Sequence, residues 1–145
     1  MDYEIREMQL EHFPAVLDIL KKRGLWAKWF TETKFQQTLK MKNGFYLVAV
    51  RDERVLSVVF CDFFVLRSQG FIYKYATHPE YEGRGIGGTL INEIIRRAQA
   101  AGLRKLSAVV KKSNARSQAS FRSRNFKDKK PLGEEEERLV LRLPG

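Results

Sequence analysis

The chain has 145 residues, 43% hydrophobic and 30% charged, which suits one domain with a packed core and a solvated surface. No apolar run reaches the roughly 18 residues that a membrane-spanning helix needs. The charged opening MDYEIREM lacks the apolar stretch of a secretory signal, so a cytoplasmic protein is expected, with no membrane partner. The net charge of +10 is unevenly placed: residues 103–130 carry ten Lys or Arg against one acid, Asp128. Such a field attracts phosphorylated cofactors, nucleic acid or acidic protein surfaces. It also reads simply as a solvated basic face. The single cysteine, Cys61, cannot form an internal disulfide, and within VVFCDFFVL it reads as a buried structural thiol.

The elements follow in order. YEIREM alternates and predicts an edge strand over 2–8. In EHFPAVLDILKKRG, Phe13, Val16, Leu17 and Leu20 fall at helical spacing, with Pro14 in the first turn and Gly24 ending the helix. A weaker helix is expected through TETKFQQTLKMK, stopped by Asn43-Gly44, and Trp26, Trp29 and Phe30 lie between the two. FYLVAV, VLSVVFCDFFVL and FIYKYATH predict three strands, and the short turns between them make these antiparallel. The period then changes to 3.6 through Leu90, Ile91, Ile94, Ile95 and Ala98, ending at Gly102. LSAVV reads as a strand, SNARSQASFRSR as a short helix begun by Ser113 or Asn114, and RLVLRL as a closing strand. One more strand is open around Phe126–Lys130, and the acidic run Glu134–Glu137 reads as a solvated loop or hairpin. The sum is an α/β fold in one domain, 1–145. Its mixed sheet has six to seven strands flanked by about four helices. The strand–helix–strand unit from FIYKYATH to LSAVV implies one parallel pair.

Gly83, Gly85, Gly87 and Gly88 stand between a strand and the long helix. Glycines there let a ligand approach the backbone, and the helix N-terminus offers free N–H groups and partial positive charge, a setting for a pyrophosphate. Arg84 could add a charge-assisted contact. A tight turn with no ligand explains the glycines equally simply. A Walker A loop would end in Gly-Lys-Ser/Thr, and this turn ends Gly87-Gly88-Thr89. A dinucleotide fingerprint would open a parallel sheet rather than follow antiparallel strands.

THPEYEGRGIGGTL resembles the acetyl-CoA motif of the GNAT superfamily of N-acetyltransferases, with the two glycines of its pattern on Gly85 and Gly87. Its first position, Arg or Gln in the family, falls on Glu82, whose charge would repel a nearby pyrophosphate. NARSQASFRSRNF is similar to a second family motif, with Asn114, Phe121, Asn125 and Phe126 at the expected spacings. Asn125 replaces a glycine where left-handed backbone is expected. The opening strand and helix also resemble the family, so the likeness spans nearly the whole chain and implies a GNAT-like acyltransferase fold.

The resemblance implies an acyltransferase in which an amine attacks the thioester of acetyl-CoA directly, with no metal and no covalent acyl-enzyme. Tyr75, Ala76 and Thr77 would hold the pantetheine arm, with a backbone N–H near Thr77 as the oxyanion donor. The pyrophosphate would lie on Gly83, Arg84, Gly85, Ile86, Gly87 and Gly88. Asn114 and Phe121 would border the pantetheine. Relatives often carry a glutamate where this chain has Phe71 or Val109, and a tyrosine where it has Phe121. Tyr73 and Tyr75 are therefore the substitutes to test as proton-transfer groups, although both also read as packing aromatics. His78 reads as structural and His12 as a surface residue. Asp62 reads as an outward-facing polar residue, with an acceptor-site acid as the alternative. Trp26, Trp29, Phe30 and Phe35 could line the acceptor site, though such aromatics are more often core. Gly87→Glu is expected to abolish CoA binding without unfolding the chain.

Three functions remain open at this point: an N-acetyltransferase acting on a primary amine, a non-catalytic acyl-CoA-binding module, and, less favoured, a nucleic-acid or ribosome-associated protein. The acceptor amine, small molecule or protein, is not legible. A homodimer is open, since many relatives pair.

Overall fold

The computed structural model describes residues 2–144, and for residues 65 and 128–131 only the backbone. The strands are β1 (Glu4–Glu7), β2 (Gly44–Arg51), β3 (Arg54–Phe64), β4 (Gln69–Thr77), β5 (Lys105–Lys111), β6 (Lys127–Leu132) and β7 (Glu136–Arg142). The helices are α1 (Phe13–Lys22), α2 (Glu32–Met41), α3 (Ile86–Ala100) and α4 (Ala115–Arg122). The strands form one sheet in the order β1-β2-β3-β4-β5-β7-β6. Each neighbouring pair is antiparallel except β4 and β5. The expected parallel unit and the optional extra strand are both present. Among the described residues no helix is long and apolar enough to cross a membrane.

Local chemistry sets the boundaries. Asp52 and Glu53 both take positive φ (48° and 64°), which the two-residue turn joining β2 to β3 requires. α3 ends in a Schellman arrangement. Gly102 has φ +80°, its N–H bonds the Gln99 carbonyl, and the Leu103 N–H bonds the Ala98 carbonyl. Asn125 has φ +71°, the left-handed conformation expected of it. α2 ends differently from the sequence expectation: Lys42, at φ +54°, takes the left-handed position, and Gly44 opens β2.

The sheet is covered on both faces. Leu56, Val59, Ile72, Ile86, Leu90, Ile94 and Phe121 fill the core beneath α3 and α4. Val16, Ile19, Leu20, Phe30, Phe35, Val58 and Phe60 fill the core beneath α1 and α2. Cys61 is fully buried in the first core, and burial pushes its thiol up to about 12, so it is inert as a nucleophile.

Two irregularities of β4 shape everything near it. Opposite β3, Phe60 pairs with Lys74 while Cys61 pairs with Ile72, so Tyr73 is an extra residue, a β-bulge. The bulge resets the alternation. Ile72 and Tyr75 join the α3 side, whereas Tyr73 packs on the α1 side and Lys74 lies over Trp29 and Phe30 there. Opposite β5, the ladder runs from Gln69↔Lys105 to Ile72↔Ala108 and stops. β4 continues against β3 to Thr77, and β5 continues against β7 to Lys111, so the two strands part within a continuous sheet.

The Phe60 ring is surrounded by Tyr73 at 5.8 Å, Phe30 and Tyr46 at 6.0 Å and Phe35 at 6.3 Å between centroids. Phe60→Ala is expected to cost about 3–5 kcal/mol of folding stability, measured by denaturant unfolding. A loss below about 1 kcal/mol would show that this aromatic cluster is not the core of its face.

Candidate active site

The parting of β4 and β5 opens two connected spaces. The larger, a cavity of about 270 Å³, lies between the end of β4, the glycine turn and α4. Tyr75, Ala76, Thr77, Gly83, Gly85, Ile86, Gly87, Gly88 and Asn114 all line it. The smaller, about 100 Å³, is lined by Ile72–Tyr75 of β4, Val109–Lys111 of β5, and Leu25, Asn114 and Phe121 among others. Ile72 and Phe121 belong to the α3 core and Tyr73 to the α1 core, so this space is a passage through the sheet. Tyr75 and Asn114 border both spaces.

The cavity wall is built to hold an anion. Gly85 is the N-cap of α3 at φ +78°, with no side chain capping the helix, so the first-turn N–H groups are open to a ligand. α4 begins at the same cavity, with Asn114 as its N-cap accepting from the Ser117 N–H at 3.1 Å. Two helix N-termini therefore direct partial positive charge into one space. Glu82 does lie at the cavity, but its carboxylate is ion-paired to Arg23 and lies 4.0 Å from the Arg116 guanidinium. Two guanidiniums against one carboxylate leave the wall net positive, which removes the objection that Glu82 raised.

One expectation for the turn is corrected, that for Gly87, and a cation is added. Arg84 is exposed, between two cavity-lining glycines, with its guanidinium 5.6 Å over the ring of Tyr81, itself a cavity residue. Arg116, from α4, lines the cavity and brings a further cation to it. Gly87 is a packing requirement: a Cβ there would stand 2.3 Å from the Tyr75 hydroxyl and 2.9 Å from Thr77 Oγ1. Gly87→Glu would thus strain the contact between α3 and β4 as well as block the cavity, so it cannot separate binding from folding.

The backbone of β4 faces the gap in a defined way. The His78 N–H bonds the Leu56 carbonyl on β3, so by strand alternation the Thr77 and Tyr75 N–H groups point toward β5, where no ladder continues. Thr77 Oγ1 lies 2.9 Å from Ser57 Oγ, which fixes its side chain. The Tyr75 ring packs edge-on against Phe121 at 5.3 Å. Burial pushes the Tyr75 phenol up, and burial followed by nearby Asp62 does the same to Tyr73, so both stay protonated at neutral pH and are weakened as acids. Phe71 stacks on Tyr73 and Val109 lines the passage, so both apolar replacements hold in space. Among the described lining residues of the passage, Glu136 is the carboxylate.

Other candidates separate cleanly. His78 Nδ1 accepts from the Glu80 N–H at 3.1 Å and His12 Nδ1 from the Gln9 N–H at 2.8 Å; both cap short turns. Asp62 accepts from the Tyr46 hydroxyl at 2.5 Å in a shallow pocket that also contains Tyr73. Phe30 and Phe35 are core, whereas Trp26 and Trp29 stay 43% and 60% exposed.

Lys74 is the residue that sequence reasoning missed. It is only 9% exposed, lines the passage, and holds Nζ 4.9 Å over Trp29, 5.6 Å over Phe30 and 6.0 Å from the Tyr73 centroid. Burial pulls its ammonium below the ordinary lysine value. The signal was a lysine within the apolar strand FIYKYA.

The comparisons with known proteins agree with this fold. The model of the acetyltransferase (GNAT) family matches residues 3–126. The chain belongs to that family, an acyltransferase family. A Bacillus subtilis protein provisionally named as a ribosomal protein bS18-alanine N-acetyltransferase is 25% identical over 118 residues, 81% of this chain and 76% of that protein. The fold matches the PaiA N-acetyltransferase of Thermoplasma acidophilum, solved with coenzyme A. Its TM-score is 0.85 at 15% identity, covering 99% of this chain and 100% of that one. It also matches a ribosomal-protein-alanine N-acetyltransferase of Brucella melitensis, with a TM-score of 0.81 at 23% identity, covering 97% and 99%.

Because the Lys74 amine titrates lower in the folded chain, the unfolded chain binds more protons between the two values, and stability rises with pH through that window. Lys74→Met removes the penalty. Its melting temperature is expected to exceed that of the parent near neutrality, with the gap narrowing as pH approaches about 10.4. A gap independent of pH, measured by thermal unfolding across the range, would show that Lys74 titrates normally.

Proposed function

We propose that this protein transfers the acetyl group of acetyl-CoA directly to a primary amine. The observation that carries this reading is the parting of β4 from β5, which sets a positive cavity at two helix N-termini on one side and a passage through the sheet on the other. The donor set fits coenzyme A. Gly83 and Gly85–Gly88 with Arg116 would take the pyrophosphate. The gap-facing backbone of Tyr75 and Thr77 would pair with the amides of the pantetheine arm, beside Asn114 and Phe121. The bound donor supplies the activated acetyl group.

The chain's own residues do the rest. The Thr77 N–H would polarise the thioester carbonyl. Leu25, Val109 and Phe121 give the passage an apolar stretch of wall. The neutral phenols of Tyr73 and Tyr75 are the groups able to protonate the departing thiolate. Orientation within a narrow passage supplies a large part of the rate, so the absence of a carboxylate at positions 71 and 109 is compatible with transfer.

A second reading is a module that binds acyl-CoA without catalysis, supported by Phe71, Val109 and Phe121. The two are separated by measuring CoA-thiol release from acetyl-CoA across a panel of amines. The panel should include a peptide with N-terminal alanine, the acceptor for which two relatives are named. Release with at least one amine supports transfer; CoA binding with no release supports the module. Arg116→Glu is expected to weaken CoA binding about tenfold or more by calorimetry, a change of about 1.4 kcal/mol. Unchanged affinity would sink the assignment of the cavity.

A further inference from the structure

We propose that Lys74 is itself acetylated by the acetyl-CoA that the site binds, so that the transfer passage carries an internal acceptor. This rests on the reading of the cavity as an acetyl-CoA site. The proposal stands on where the amine is held. The bulge at Tyr73 turns Lys74 onto the α1 face at the point where β4 leaves β5. Its side chain lines the same passage as Tyr75, whose backbone faces the gap. Three aromatic rings, Trp29, Phe30 and Tyr73, surround Nζ and fix its position. Among the described residues no carboxylate is ion-paired to it. The other charged groups lining the passage are Arg23, which is ion-paired to Glu82, and Lys111 and Glu136, which lie at the exposed ends of β5 and β7.

Burial lowers the lysine's proton affinity, so a larger share of Lys74 than of any surface lysine is the unprotonated amine. An unprotonated primary amine beside a bound thioester has the chemistry of the acceptor. Nζ attacks the thioester carbonyl, the N–C bond forms, and the C–S bond breaks. The proton lost by Nζ goes to the leaving thiolate. The products are CoA thiol and a neutral acetamide on Lys74. The longer, uncharged side chain then fills a passage of only about 100 Å³ and closes it to other amines.

The test is incubation of the full chain with acetyl-CoA and no acceptor at neutral pH, followed by peptide mass spectrometry, with CoA binding measured on the same sample. Lys74 is expected to gain one acetyl group at least about tenfold faster than the exposed Lys28 and Lys112, because its amine is held in the passage. Excess free CoA should suppress labelling at Lys74 and not at Lys112. CoA binding with Lys74 unmodified, or modified no faster than Lys112, overturns the proposal and leaves the cavity assignment standing. Failure to bind CoA at all overturns the cavity assignment itself. Lys74→Arg keeps a cation in place and should bind CoA without gaining acetyl in the passage; acetylation continuing at another passage residue would show that the acceptor is not Lys74.

Discussion

Between β4 and β5 the strand pairing stops partway along two strands that both continue, and the cavity lies along that seam. After Ile72 and Ala108, β4 and β5 keep their outer partners but lose each other. A broken ladder inside a sheet exposes backbone N–H and C=O groups that need partners. Here they face a cavity and a passage rather than protein. The two covered faces make this possible. Each half of the sheet is held by its own core, so the strands can separate without unravelling.

The electrostatics follow from the same seam. α3 leaves the end of β4 and α4 follows β5, so both helices start at the opening. Their N-termini, with Arg23 and Arg116 around Glu82, concentrate positive charge there. Part of the basic asymmetry of residues 103–130 is therefore local and structural: Arg116 faces the cavity, while Arg124 is hydrogen-bonded to Asn92 and Ser120 and packs over Gly88.

Much of this was legible in the sequence, because it depends on local chemistry. The antiparallel strands, the α3 stripe and the left-handed Asn125 follow from nearest neighbours. The glycine turn and Asn114 were placed at the cavity by motif. What was not legible depends on a single inserted residue or on distant chain. The bulge at Tyr73 breaks the strand's alternation, so no periodic reading could say which way Lys74 points. Arg116 joins the cavity because α4, about thirty residues after the turn, folds over it. The aromatic group after α1 divided, with Phe30 and Phe35 buried and the two tryptophans left at the surface, and sequence spacing carries no signal for that division.

The ion pair between Arg23 and Glu82 has a meaning beyond charge balance. Arg23 follows α1, which packs on the acceptor-side face of the sheet, while Glu82 belongs to the turn on the donor side. If a phosphate entered the cavity it would compete with Glu82 for that guanidinium, and its occupancy would then be linked to the position of the end of α1. Linkage of this kind is reciprocal. On the proposed reading, whatever settled against the end of α1 would alter donor affinity by the same factor by which the donor altered its own, through the one carboxylate of Glu82.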